Sequence, residues 1–119
     1  VHLWSKRYGA AGNQDARAIA VDPSGAVLVA GDFTTSVDFG GGVLTSAGVT
    51  DGFVAKLDSF GVHVWSKKQG DIAAQSVTGV AADGSGVFAT GTFAGVVNFG
   101  GAALTSAGAT DVMVAKLAP

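Results

Sequence analysis

Cysteine is absent from this chain, which excludes disulfide staples, thiol catalysis and cysteine-based metal sites and leaves the redox compartment open. Glutamate is absent too, so every acidic residue is an aspartate, a type suited to turns and loop ends. No apolar run nears the roughly 18 residues of a membrane helix, because Gly, Ser, Thr and Asp interrupt each one. No membrane insertion is expected. No segment keeps a 3.6-residue period between caps, so no helix is expected either. Charge is sparse at 13% of residues, and the net charge of -2 gives no footprint for nucleic acid or an anionic membrane. The opening "VHLWSKRYG" lacks a basic region followed by an apolar stretch, so it does not read as a signal peptide. It starts abruptly, as a processed product or an excised piece would.

What is present is small and apolar. Hydrophobic residues make up 48% and glycine contributes 19 residues, a balance unlike that of disordered chains. The length of 119 residues allows one ordinary domain. Within it, one passage is written twice: "FGGGVLTSAGVTDGFVAKL" from Phe39 returns as "FGGAALTSAGATDVMVAKL" from Phe99. "VHLWSK" from Val1 returns as "VHVWSK" from Val62. The first offset is 60 and the second 61, and the missing residue falls beside a turn, between "SGAVLVAG" and "SGVFATG", where deletions are tolerated best. Two repeat units follow, residues 1–61 and 62–119, forming one domain overall.

Inside each unit, apolar residues alternate over short runs bounded by Gly, Ser, Asp and Pro, the pattern of strands. Strands are expected at Ala16–Val21, Ala26–Phe33, Gly52–Leu57 and Val62–Lys68. In the turns "DPSG" and "DGSG", Asp22 and Asp83 cap the turn, and Gly25 and Gly86 take its left-handed last position. The glycine-rich "FGGGV" and "FGGAA" precede neither a helix nor a G-K-[ST] triplet, so they read as hairpin tips rather than phosphate cradles. Phe39 and Leu44 suit the covering of a sheet edge. The expected class is therefore all-β, with two four-stranded antiparallel β-propeller blades.

The same stretches resemble the bacterial SBBP β-propeller repeat. The likeness lies in the Asp22–Gly25 turn, Val27–Phe33, Asp38–Gly48, Asp51–Leu57 and the tryptophan strand Val62–Lys67. Asn98 and Met113 depart from it in the second copy. The resemblance covers essentially the whole chain and implies a propeller in a secreted or cell-surface setting, soluble, with no defined activity.

With strands lettered A to D from the axis outward, the chain reads D, ABCD, ABC, and an orphan outer strand (His2–Tyr8) opens it. Val1 and Pro119 are then expected to lie at a ring-closing joint. Two blades cannot close a ring of about four to eight. Leaving a face on the order of 500 Å² open would forfeit roughly 12 kcal/mol gross. A head-to-tail homo-oligomer resolves this, with His2–Tyr8 completing the neighbour's last blade and three or four chains closing the ring. The same pattern also fits a fragment of a longer propeller, or an engineered piece.

Candidates for chemistry are few. His2 and His63 recur at equivalent outer-strand positions without Cys or Glu nearby, which suits packing beside Trp4 and Trp65 better than zinc. The aspartate turns lack the alternating ligands of a calcium loop. Asp51 and Asp111 read as loop anchors, with Lys56 and Lys116 as solvated strand charges. No G-x-S-x-G elbow occurs, and no cofactor is implied. Trp4 and Trp65 read as wedges between blades, with sugar or base stacking as the alternative; Phe39 and Phe99 are further structural positions. A ligand-binding face is expected where the long loops meet the inner strands, at Asn13, Gln14, Asp15 and Arg17, and at Gln75, Ser76 and Thr78 in the second copy. Two readings result. One is a structural or binding module, a ring able to hold a glycan or protein by multivalent contacts. The other is an enzyme at the ring mouth using Asp15 and Arg17.

Overall fold

A computed structural model describes residues 1–119 as eleven strands without a helix. In chain order these are β1 (Gln14–Val21), β2 (Val27–Phe33), β3 (Ser36–Asp38), β4 (Val43–Thr45), β5 (Asp51–Leu57) and β6 (His63–Gln69). The second unit supplies β7 (Gln75–Asp83), β8 (Gly86–Phe93), β9 (Val96–Val97), β10 (Leu104–Thr105) and β11 (Asp111–Leu117). The first unit makes an antiparallel four-stranded sheet in the order β1-β2-β5-β6. The second makes an antiparallel three-stranded sheet in the order β11-β8-β7. The glycine-rich segments form two separate hairpins, β3–β4 and β9–β10, as the tip reading expects.

Both inner strands carry a bulge at the same place, between Ala16 and Ala18 in β1 and between Val77 and Gly79 in β7. Opposite each bulge stands a glycine. A Cβ on Gly31 would run into the carbonyl oxygen of Asp15, and one on Gly91 into that of Ser76. The recurring glycine is therefore a steric requirement of a bulged strand.

The turns differ. Asp22 accepts from the Ser24 amide and hydroxyl and from the Ala26 amide, while Gly25 adopts φ 86°, as its turn chemistry requires. Asp83 likewise holds Ser85. Gly86, however, does not close a loop there; it opens β8 opposite Asp83. The second unit is one residue shorter at this point, so the loop tightens and the strand pairing absorbs its glycine.

The two sheets stack. Leu28, Ala30 and Val54 of the first sheet pack against Val77, Val87, Ala89, Phe93, Met113 and Leu117 of the second in one buried cluster, with Trp65 at its margin. Burying a side chain such as Leu28 contributes about 1.5–3 kcal/mol. On the other face of the first sheet, hairpin β3–β4 folds down so that Val37 and Phe39 bury against Phe33, Phe53 and Ala55. The Phe39 and Phe53 rings stand 4.8 Å apart, and Tyr8 packs on Phe39 at 5.1 Å.

Two further expectations change. His2–Tyr8 forms no strand. Its counterpart β6 already occupies the outer edge of the first sheet, and the free edge, β11, belongs to the second sheet. The segment lies instead over the first sheet's outer face, where the Trp4 indole donates to the Ser59 carbonyl at 3.1 Å. Lys56 is not a solvated charge: it is buried, with Nζ 2.9 Å from Asp22. Stacking the second sheet removes water from that strand face, and the turn aspartate supplies the countercharge that burial demands. Lys116, its equivalent in the second sheet, stays exposed and sits 5.1 Å over the Phe88 ring.

Candidate functional site

The long loops converge at one end of the stacked sheets, each held by a glutamine at the start of an inner strand. The Gln14 amide donates to the carbonyls of Ala11 and Ser36, and that of Gln75 to Asp71 and the carbonyl of Ala94. Each glutamine thus ties the loop before its strand to the segment leading into the next hairpin. Gln75 is fully buried, and its Oε1 has no donor. A Cβ on Gly70 would collide with that oxygen, and Gly70 has φ 152°, so the position is closed to larger residues.

Asn13 acts through its backbone: its amide donates to the Thr34 hydroxyl and its carbonyl accepts from the Thr34 amide. Asp71 accepts from the amides of Ala73 and Val96 as well as from Gln75. These bonds, led by that of Ala73, hold its carboxyl below the usual range. Asp51 is completely buried at the head of β5, accepting from Ser46, the Ala47 amide and Lys68. Asp111 repeats the arrangement with Ser106 and Ala107. Both anchor loops.

Between the sheets lies a polar cluster centred on a residue the sequence does not flag. Asp32 in β2 is nearly buried and accepts from Arg17 Nε at 3.0 Å and from the Ser76 hydroxyl of the second sheet at 2.5 Å. Asp15 stands 4.0 Å from the Arg17 guanidinium. The hydrogen bond to Asp32 raises the Arg17 pKa further. Of the loop-end candidates, the structure thus brings together Asp15, Arg17 and Ser76. Thr78 sits within the β7 bulge, and Asn13, Gln14 and Gln75 serve the loops. The available signal for Asp32 was a charge inside the apolar run "VLVAGDF".

An apolar cavity of about 310 Å³ opens on the outer face of the first sheet, lined by Trp4, Tyr8, Ile19, Val29, Phe39 and Phe53 among others. Burial raises the Tyr8 pKa. Every resolved shift in the chain runs away from neutral pH: Asp22, Asp71 and Asp83 go down, Arg17 and Tyr8 up. The cluster itself offers the Arg17 guanidinium, two carboxylates and the Ser76 hydroxyl as hydrogen-bonding groups. No helix is long and apolar enough to cross a membrane, and no group of three or more His, Cys, Asp or Glu residues gathers as a metal site. No family model and no curated protein matches the chain.

Proposed function

We propose that this chain is a non-catalytic pair of β-propeller blades, a structural and binding module that assembles head to tail with further copies of itself. The observation that carries the reading is the equivalence of the two sheet faces. The cavity on the first sheet is lined by Ile19, Val29 and Phe53 together with Trp4; by repeat position these are Val80, Ala89 and Met113 of the second sheet and Trp65 of β6. Val80, Ala89 and Met113 pack in the cluster between the sheets, where the first sheet, with its Trp65, covers them. The cavity is thus a blade face awaiting a blade.

His2–Tyr8 supports the same reading. It lies over the first sheet as β6, with Trp65, lies beside the core of the second. On this reading it would serve as the outer strand of a blade supplied by a second copy. The free edge of β11, with Val112 and Val114 about three-quarters exposed, lacks such a strand. Three or four chains of two blades each would close a ring within the usual range of about four to eight. The likeness to the SBBP repeat accords with this and with a secreted or cell-surface setting.

A ring repeats its loop end around the axis, so weak contacts to a glycan or a protein would sum by multivalency. Asp15 and Arg17, the half-exposed charges there, are the groups for such contacts. Light scattering on a sizing column across a dilution series tests the assembly. A stable mass of three or four chains is expected; a persistent monomer would refute it.

A further inference from the structure

The two exposed faces of the chain are matched to each other by reciprocal substitutions. At the buried junction, Gly52 of the first sheet lies against Val77 of the second: a Cβ on Gly52 would come within 3.0 Å of Val77 Cγ2. By repeat position, Gly52 corresponds to Val112 and Val77 to Ala16. The large residue has moved from one side of the contact to the other. At the same junction, Asp32 of the first sheet accepts from Ser76 of the second. Their counterparts are Thr92 and Asp15, so a carboxylate and a hydroxyl face each other again with the sides exchanged. Thr92, Val112, Asp15 and Ala16 are all exposed.

A third correspondence involves the hairpins. The His63 ring of β6 packs on Gly41, where a Cβ would strike the imidazole. Gly101 occupies the same hairpin position in the second unit, with nothing within 4 Å of its Cβ site. The counterpart of His63 is His2.

We infer that the face of β8 and β11 carrying Thr92 and Val112 docks on the face of β1 carrying Asp15 and Ala16 of a second copy of this chain. Val112 fills the space left by Ala16, the Thr92 hydroxyl donates to the Asp15 carboxylate, and His2 of the second copy seats on Gly101. A unit that met only copies of its own first or second blade would gain nothing from exchanging both members of each pair. The inference rests on the assembly proposed above and specifies its interface.

Ala16→Val, Val112→Gly and the double variant, compared with the parent chain by light scattering over a dilution series, test it. The double variant rebuilds across the joint the glycine–valine contact already found at the buried junction. Both residues are exposed in the single chain and the equivalent β7 position accepts valine, so each variant keeps its fold, checked by far-ultraviolet dichroism. Ala16→Val is expected to weaken association about tenfold or more by overpacking, and the added Val112→Gly to restore it to within a few-fold. Asp15→Ala is expected to weaken it independently. An assembled parent in which Ala16→Val has no effect, or in which Val112→Gly fails to rescue it, overturns this interface while leaving assembly intact. A monomeric parent overturns the assembly itself.

Discussion

Gly31 and Gly91 show how far a single residue is constrained by its neighbour's backbone. Each faces a bulge, and any side chain there meets a carbonyl oxygen. Gly91→Ala should therefore destabilise the chain by about 1–3 kcal/mol, read as a lower urea midpoint. Gly101→Ala, in open space, should change the single chain by only about 0.5 kcal/mol or less. The Asp22 carboxyl is held low first by the Ser24 hydroxyl and then by Lys56. Its folded pKa thus lies below the unfolded value of about 3.9. The stabilisation is complete above that value and is lost as pH falls through the folded one. Acid titration of the parent should show stability declining below about pH 4. Asp22→Asn should be less stable at neutral pH, leaving Lys56 buried beside an uncharged partner, and should flatten that decline. A decline of equal steepness in the variant would assign the acid sensitivity elsewhere.

At the scale of elements, strands were legible because each is a short alternating run closed by turn residues whose chemistry is local. β2 and β5 lie within a residue of the bounds that "AVLVAGDF" and "GFVAKL" suggest. The hairpin tips were legible for the same reason. What the sequence concealed depends on contacts between elements. Lys56 reads as a surface charge until a second sheet covers it, and Asp32 becomes the centre of a polar cluster only when Ser76 arrives from the next sheet. His2–Tyr8 reads as a strand because its counterpart β6 is one; whether it pairs is decided by the edge available to it. The glutamines at the loop end recur in the sequence, yet their role as clamps follows from carbonyls some twenty positions away, Ser36 and Ala94. Gln75→Leu should loosen that end, costing about 1–3 kcal/mol by removing the side-chain donor to the Ala94 carbonyl and one of the three donors to Asp71. Amide hydrogen exchange should then rise first around residues 70–75 and 94–96.

For the whole molecule, the larger buried cluster joins both sheets, while the smaller one lies between the first sheet and its own hairpin. Met113, buried between the two sheets, offers the direct probe. Met113→Ala should cost about 2–5 kcal/mol and shift one cooperative transition rather than split it in two. The central claim is that the first sheet's outer face and the second sheet's free edge are halves of one joint between copies. The β5–β6 register pairs Ala55 with Ser66; by repeat position, the joint would pair Ala115 with Ser5 of the next chain. Antiparallel partners lie within disulfide reach, and the chain has no cysteine of its own. The decisive measurement is therefore the mass of the Ser5→Cys/Ala115→Cys variant after mild oxidation, on a denaturing non-reducing gel. The account predicts covalent multimers ending at three or four chains, collapsing to monomer on reduction. A variant that stays monomeric, with both thiols free or joined within one chain, would contradict it.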